Sequence, residues 1–173
     1  MIKKITLVAA IILFAFGVNA QIKLNAGASL VLPMGDFGDA FKTSFGFNVG
    51  GKYMLNDKMA VGANIGYVML QPETKISGVT YSMMPIVGSF TYYLGGEGFK
   101  PYAGIDLGYY IIKASGGGIS ISTSDFGFAP TVGFEYGFSD KLSLDVNAKY
   151  HYIMSDPDAS SAVGIIIGIA YAL

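Results

Sequence analysis

The residues that could carry chemistry in this sequence are few. His151 is the only histidine. Six charged residues also lie inside otherwise apolar stretches, and they are Lys23, Lys52, Asp106, Glu135, Asp145 and Lys149. A histidine beside a serine could support acyl transfer, and grouped carboxylates could move a proton or bind a metal ion. Which of these is possible depends on the elements that position the side chains.

The composition predicts one domain in an apolar environment. The 173 residues are 52% hydrophobic and 13% charged, whereas a soluble domain has about 25% charged residues. All eleven basic residues are lysines and the formal net charge is -1, which argues against a nucleic-acid partner. Without cysteine there is no disulfide, thiolate metal site or thiol nucleophile. We expect no cofactor.

Residues 1–20 have the parts of a cleaved signal peptide. Lys3 and Lys4 form a short positive segment, an apolar core follows, and Ala20 ends a small-x-small cleavage pattern. The apolar core is shorter than the ~20 residues of a spanning helix, which argues against a retained anchor. We predict cleavage after Ala20 and a mature domain of residues 21–173.

The mature chain alternates in polarity with a period of two, which is typical of β-strands. No remaining apolar stretch is long enough for a spanning helix. The pattern predicts eight strands, at about 22–33, 44–55, 59–70, 80–94, 100–112, 125–138, 142–154 and 161–173. Pro130 lies inside the sixth of these strands and cannot donate to a ladder, so we expect a β-bulge there.

The connections alternate between tight turns and longer segments. The tight ones are 56–58, 95–98 and 139–141, and the longer ones are 33–43, 71–79, 113–124 and 155–160. Bacterial outer-membrane barrels have short periplasmic turns and longer extracellular loops. This predicts both chain ends in the periplasm and four loops outside. The segment 113–124, with Gly116–Gly118, is either a flexible loop tip or an extension of the two flanking strands.

One face of each strand is apolar and the other is rich in glycine, alanine and polar residues. In the sixth strand the two faces begin with Phe126 and Phe128 on one side and Gly127 and Ala129 on the other. A soluble barrel would have to expose the glycine row to water, whereas a lipid-facing wall around a narrow interior fits both faces. We therefore predict an all-β fold, an eight-stranded antiparallel up-and-down transmembrane β-barrel. Its outward phase carries tyrosines near the strand ends, where the membrane interface would lie.

The charged residues inside strands all fall on the inward phase. A segment around Leu55–Val61 is repeated around Phe138–Leu144, which makes Lys52 and Glu135 equivalent positions of opposite strands. Shared turn chemistry alone could also produce this repeat. We predict a Lys52–Glu135 ion pair across the lumen. Lys23 and Asp145 should lie nearby, and Asp106 should lie close to Lys149, in a structural network that closes the barrel.

A catalytic role for His151 is not expected, and we interpret it as a hydrogen-bonded interior residue of the structural network near Asp145 and Lys149. It lies on the inward phase, away from lipid, and Ile153 occupies the next position on its face, where a serine would be needed. Gly46–Tyr53 approaches a phosphate-binding loop but lacks the final hydroxyl and alternates like a strand. Acidic loop residues could bind a divalent cation but match no calcium-loop spacing, so we interpret them as solvated charge; they are Asp36, Asp39, Glu73, Asp125, Asp156 and Asp158. Phe37, Phe41 and Ile76 could form a partner patch, or the two phenylalanines could cap the barrel.

Several short motifs resemble the small outer-membrane β-barrel proteins of OmpA/OmpX type. They are Pro33–Phe37, the alternation of Gly46 and Gly50, Pro85, and Lys100–Gly104. The resemblance covers the whole mature chain. It implies export through the general secretory pathway, help from the barrel-assembly machinery, and a place in a Gram-negative outer membrane in contact with lipid and lipopolysaccharide. It carries over no catalytic, cofactor-binding or metal-binding residue.

These expectations favour a closed barrel with a role in envelope integrity, adhesion or binding through its outer loops to a ligand that the sequence does not identify. The alternative is a small gated channel, which would require the interior charges to rearrange. A lipid-modifying enzyme is less favoured because no outward histidine and serine pair is found.

Overall fold

The computed structural model describes residues 22–74 and 77–173. The predicted signal peptide and Ile76 therefore lie outside the described residues. The strands are β1 (Ile22–Met34), β2 (Phe41–Met54), β3 (Met59–Pro72), β4 (Val79–Tyr93), β5 (Phe99–Gly116), β6 (Ile119–Gly137), β7 (Leu142–Ile153) and β8 (Ser160–Ala172). Each pairs antiparallel with the next, and β1 pairs with β8, which closes the ring. The eight-stranded up-and-down barrel is confirmed.

The tight turns define one end of the barrel, which we call the short-turn end. In the β2–β3 turn, the side-chain oxygen of Asn56 accepts hydrogen bonds from the backbone N–H groups of Lys58 and Met59, both at 2.9 Å. Ser139 plays the same part in the β6–β7 turn, where its hydroxyl oxygen accepts from Leu142 N–H at 3.1 Å. These side-chain oxygens satisfy backbone N–H groups of the turn that have no partner in the strand ladder. The two halves of the sequence repeat are thus turned in the same way.

The opposite end, which we call the long-loop end, has two distinct features. A short helix, α1 (Asp36–Ala40), connects β1 to β2. The β5 and β6 strands continue beyond the ring to a turn at Gly117 and Gly118, which have φ of 58° and 81°. Positive φ at both central positions suits a tight hairpin and favours glycine. Most of the segment 113–124 is therefore an extension of the two strands and not a loop.

The expected bulge at Pro130 is wrong. Pairing of β6 with β7 lapses at Ala129 and Pro130 and resumes in the same register at Thr131, while β5 pairs with β6 without a break. The missing N–H costs a ladder bond but no residue is inserted. The register shift lies instead in β2–β3, between Lys42 and Phe45. There the buried Ser44 hydroxyl oxygen accepts from Gln71 N–H at 3.1 Å and holds the bulge.

The outer wall is apolar along its full circumference. Exposed side chains of β2, β6 and β8, such as Phe47, Val132 and Ile167, are 56%, 62% and 57% accessible. Exposed tyrosines lie near the short-turn ends of four strands, and these are Tyr53, Tyr92, Tyr136 and Tyr171. Others lie towards the long-loop end, including Tyr109 and Tyr150. An apolar band between two aromatic girdles is the surface of a membrane barrel.

The lumen is filled by side chains. Apolar residues from six strands and Phe37 of α1 form a cluster in the half nearer the long-loop end, and this apolar plug consists of Val31, Phe37, Val68, Leu70, Met83, Val87, Tyr110, Ile153 and Ala162. Phe41 packs against it, with its ring centroid 5.1 Å from that of Phe37. The two phenylalanines thus cap the barrel. No helix in the described part of the chain is long and apolar enough to cross a membrane.

Candidate functional site

The half of the lumen nearer the short-turn end holds the charged residues, with like charges side by side on each wall. Lys23 of β1 is the register partner of Lys52 of β2. On the opposite wall, Glu135 of β6 is the register partner of Asp145 of β7. Like charges directly opposite each other destabilise a sheet. The like-charged pair on each wall is unfavourable by itself, and the ion pairs across the lumen neutralise it.

Glu135 is the centre of this contact. Its carboxylate accepts a hydrogen bond from Lys23 Nζ at 2.6 Å, one from Lys52 Nζ at 3.3 Å and one from the Tyr93 hydroxyl at 2.5 Å. The residue is 2% exposed. Charge-assisted bonds of this kind are about twice as strong as neutral ones. They tie β1, β2 and β4 to β6, none of which is a neighbour of β6 in the ring.

Asp145 completes the network on the same wall. Lys52 Nζ lies 3.2 Å from one of its oxygens, and the other oxygen accepts from the Tyr102 hydroxyl at 2.7 Å and from the Asn147 amide at 3.0 Å. Lys52 Nζ also lies 4.7 Å from the centroid of the Tyr102 ring, which is a cation–π contact. Lys52 is therefore held by two carboxylates and an aromatic face.

The glycines of the inward face make room for these rings. A Cβ atom on Gly133 would lie 2.8 Å from the Tyr102 ring, and one on Gly127 would lie 2.9 Å from the Tyr110 ring. Real Cβ atoms do not approach other heavy atoms so closely, so a larger residue would displace the tyrosine and would also clash with the β7 backbone, where the Val146 and Tyr152 carbonyl oxygens lie 2.6 Å from these positions. The alternation of glycine with phenylalanine and tyrosine in β6 thus serves the packing of the lumen as well as the lipid wall.

Lys149 of β7 and Asp106 of β5 form a separate ion pair further from the short-turn end. Their side chains are 11% and 7% exposed. β6 lies between these two strands in the ring, and its inward Thr131 occupies this level. The interior then holds three lysines and three carboxylates in ion pairs. Its formal charge is zero.

His151 lies beyond that ion pair, at the border of the apolar plug. Its Nδ1 is 3.0 Å from the Tyr110 hydroxyl, and the two rings meet edge to face. The residue is 8% exposed, inside the barrel. Lipid cannot reach this ring, and the neighbouring inward position is Ile153. Among the described residues, no serine hydroxyl forms a hydrogen bond with this histidine.

Water from the short-turn end reaches the edge of the network, and a small internal cavity of about 20 Å³ lies among Lys52, Asp106 and Asp145. A cavity of about 480 Å³ opens at the short-turn end, and Lys23 and Glu135 lie on its wall. Within residues 22–74 and 77–173, no group of three or more histidine, aspartate and glutamate side chains could hold a metal ion. What the site can do is hold opposite walls of the barrel together through buried ion pairs.

The structure brings together the residues that the sequence analysis placed on the inward phase. Lys52 lies against Glu135, Lys23 and Asp145 join them, and Asp106 meets Lys149. His151 follows Lys149 on the same face of β7, but its hydrogen-bond partner is Tyr110 and not Asp145. Sequence reasoning missed the inward tyrosines Tyr93, Tyr102 and Tyr110. Their signal was available in β5, where Tyr102 and Tyr110 share the phase of Asp106.

The strands form a closed antiparallel ring with a lipid-facing wall and two aromatic girdles, and the charges in its lumen balance. These features define an integral outer-membrane β-barrel protein. The family model described as "Outer membrane protein beta-barrel domain" matches residues 6–171. The chain belongs to this family, and its place is the outer membrane of a Gram-negative bacterium. Its apolar wall is in contact with membrane lipid.

Solved structures show the same fold at low sequence identity. Neisserial surface protein A is 19% identical, with a TM-score of 0.74, over 89% of this chain and 99% of that one. Ail, the attachment invasion locus protein of Yersinia pestis, in complex with the heparin analogue sucrose octasulfate, is 17% identical, with a TM-score of 0.65, over 90% and 100%. OprG from Pseudomonas aeruginosa is 15% identical, with a TM-score of 0.65, over 89% and 96%. A comparison with curated proteins finds no match.

Proposed function

We propose that this protein is a closed barrel that displays its long-loop end outside the cell, for attachment or binding and for the integrity of the envelope. The observation that supports the proposal is a lumen occupied by side chains at two levels. The charge network fills the half nearer the short-turn end, and the apolar plug fills the other half. An eight-stranded barrel has an interior that side chains can fill. A filled interior leaves the exposed segments as the surface on which binding can occur.

The length of the connections supports this orientation. Outer-membrane barrels keep short turns in the periplasm and longer segments outside. The helix α1 and the extended β5–β6 hairpin both belong to the long-loop end. With that end outside, residues 1–20 act as the signal peptide, and the barrel-assembly machinery inserts the mature domain 21–173. N-terminal sequencing of the protein from outer membranes tests the cleavage after Ala20.

The charge of the long-loop end indicates what does not bind there. The acidic residues are Asp36, Asp39, Glu73, Asp125, Asp156 and Asp158, and the lysines are Lys42, Lys75 and Lys113. Ail was solved with a heparin analogue, but an acidic end repels a sulfated glycan. A neutral or extended polypeptide partner suits this surface better.

Conductance in planar bilayers tests the closed barrel. Only protein whose unheated and heated forms migrate differently on a gel is measured, because that shift demonstrates the folded state. We expect no sustained current. Glu135→Gln also stays silent, because the apolar plug still closes the lumen, whereas Met83→Gly with Ile153→Gly thins the plug and raises the leak in the Glu135→Gln background.

A gated channel is the second candidate, and the cavity at the short-turn end favours it. That cavity of about 480 Å³ brings solvent to Lys23 and Glu135, so the network could rearrange from that side. Discrete openings from the folded wild-type protein would refute the closed barrel. They would make the charge network a gate, and Glu135→Gln should then change the open probability.

A further inference from the structure

The β5–β6 hairpin rises above the barrel, and its polarity reverses there. At the level of Tyr109 and Phe126 the outward face is still aromatic. These two residues are register partners, and their ring centroids lie 5.7 Å apart. Above that level the outward face carries Ile111 and then only polar residues, namely Lys113, Ser115, Ser120, Ser122 and Ser124, whereas the inward phase carries Asp125 and Thr123 and then Ile112, Ala114, Ile119 and Ile121. A lipid-facing wall cannot be polar, so the hairpin stands outside the membrane. Ile119 and Ile121 are 70% and 69% exposed, more than any other large apolar side chain described.

This hairpin has an unpaired edge. Pairing of β6 with β7 ends at Gly127 and Ile153, after which Phe126 C=O accepts a last bond from Met154 N–H at 2.9 Å. Backbone groups alternate sides along a strand, so Ser120, Ser122 and Ser124 direct their N–H and C=O groups the same way as Phe126. Within residues 22–74 and 77–173, no strand pairs with that side. We call residues Ile119–Ser124 the free edge.

The free edge lacks the features that usually prevent pairing. Natural edge strands carry lysine, proline or a bulge, and this one has none of them from Ile119 to Ser124. One of its faces carries Ile119, Ile121 and Thr123 and the other carries three serines, so a strand added beside it needs mainly apolar residues on one face and hydroxyl groups on the other. The segment itself has that pattern. An antiparallel copy of the free edge would therefore extend both of its faces.

We propose that the free edge pairs antiparallel with the free edge of a second copy of this chain in a facing membrane. Of the registers that extend both faces and keep Asp125 away from isoleucine, the one that pairs the most residues of the free edge sets Ile121 opposite its counterpart and Ser120 opposite Ser122. Each Ser120–Ser122 pair exchanges both N–H···O bonds, and the two Ile121 side chains meet in a non-hydrogen-bonded pair. The contact is isologous, because each copy contributes the same residues.

Two copies in one membrane cannot form this contact. Barrel strands tilt by roughly 35 to 45° from the barrel axis. A two-fold axis along the membrane normal would then cross the two β6 strands at roughly 70 to 90°, which no ladder accommodates. When the two copies lie in facing membranes, a two-fold axis in the membrane plane makes their β6 strands antiparallel. The proposal rests on the proposed function only in placing the long-loop end outside.

Cysteine cross-linking between vesicles tests the pairing, because the protein has no native cysteine. Two vesicle populations carry the same variant with different epitope tags, and they are mixed under mild oxidation. Ile121→Cys should give mixed-tag dimers, since Cα atoms of a non-hydrogen-bonded pair lie about 4.5 Å apart, within disulfide range. Ile119→Cys is the matched control. In the same register its two copies lie about 14 Å apart, four residues along the ladder.

We expect at least fivefold more mixed-tag dimer from Ile121→Cys than from Ile119→Cys. The cysteine-free protein should also cluster vesicles, as measured by turbidity. Ser122→Pro should abolish that clustering because it removes an N–H from the free edge and none from the β5 ladder, whereas Ser122→Thr should retain it. Equal cross-linking by both cysteines, or clustering that survives Ser122→Pro, overturns the proposal.

Two further outcomes would also overturn it. Dimers that form only between copies in one vesicle would show pairing within a membrane. Vesicles that stay apart, while a synthetic peptide of residues 117–126 slows hydrogen exchange at Ser120 and Ser122, would show an edge that accepts strands from other proteins. Conductance of the same vesicle samples separates failure of this proposal from failure of the closed barrel. A barrel that carries no current and gives no cross-linked dimer refutes the pairing of free edges and leaves the closed barrel standing.

Discussion

Replacing Glu135 by glutamine removes one charge from the centre of the lumen while nearly conserving volume. Three donors lose their charged acceptor, namely Lys23, Lys52 and Tyr93. The interior then holds three lysines against two aspartates, a formal charge of +1. Removing one partner of a buried pair costs about 3 to 5 kcal/mol. Lys23 is 13% exposed and borders the cavity, so it regains some hydration, and we expect a loss of about 3 kcal/mol.

Glu73→Gln is the matched control because the chemistry of the change is identical. Glu73 lies 3.3 Å from Lys42, but these side chains are 48% and 53% exposed. A pair in that environment contributes about 0 to 1 kcal/mol. Both variants are unfolded in urea from lipid vesicles, and the folded fraction is read from the band shift on an unheated gel. Equal losses for the two variants would refute the role assigned to the network.

Adding Lys23→Met to Glu135→Gln should recover stability. Lys23 has Glu135 as its acidic partner and Lys52 as its register neighbour, so the double variant removes the stranded cation and restores neutrality. Lys52 keeps Asp145. Coupling between residues of one network is about 0.5 to 3 kcal/mol, and we expect at least 1 kcal/mol to return. A double variant less stable than Glu135→Gln would show that packing, not charge, determines the loss.

Two further predictions use paired positions. Val132→Lys on the lipid wall should cost about 2 to 4 kcal/mol, whereas Ile119→Lys on the hairpin should be neutral in the same unfolding assay; equal costs would place the hairpin in the membrane. Tyr102→Phe removes the 2.7 Å bond to Asp145 and should cost about 1.5 to 3 kcal/mol, whereas Tyr109→Phe on the outer wall should change stability little. A neutral Tyr102→Phe would mean that this bond does not stabilise the network.

The fold was predictable because the period of two persists through all eight strands. A membrane barrel needs one apolar face everywhere, so the phase of each strand could be read from a few large residues such as those of β6. The strand ends were less certain, most clearly at 113–124. There the polar outward face looked like a loop, since a strand above the membrane no longer carries the lipid-facing signal.

The charged part of the site was predictable from the same phase. The repeat placed Lys52 and Glu135 inward on opposite strands. Because the interior of an eight-stranded barrel is narrow, two long side chains on opposite walls are within reach of each other. The tyrosines were not predictable by this route. Tyrosine suits both a membrane interface and a buried hydrogen bond, and in the doublets Tyr92–Tyr93 and Tyr109–Tyr110 one ring faces outward and the other inward.

The wrong bulge at Pro130 has a physical cause that the sequence does not show. A proline removes one donor from one side of its strand. Because Pro130 faces β7 with that side, the uninterrupted pairing of β6 with β5 holds the register across the gap. At Ser44 the register does shift. The Ser44 hydroxyl oxygen accepts from Gln71 N–H in place of a backbone carbonyl, and β2 therefore accommodates an extra residue. Neither outcome follows from residue type alone.

The division of the lumen into a charged half and an apolar half bears on how the barrel selects its inward face. A lumen lined only by apolar side chains would differ little from the lipid-facing wall, and a slip of one residue would exchange the two faces at small cost. A lysine turned to the lipid midplane costs about 2 to 4 kcal/mol, so Lys52 and Lys149 oppose that slip in β2 and β7. Glu135 and Asp145 oppose it in β6 and β7, and each needs a lysine from a non-adjacent strand. The network therefore specifies strand phase and ring closure together, whereas the apolar plug contributes the seal.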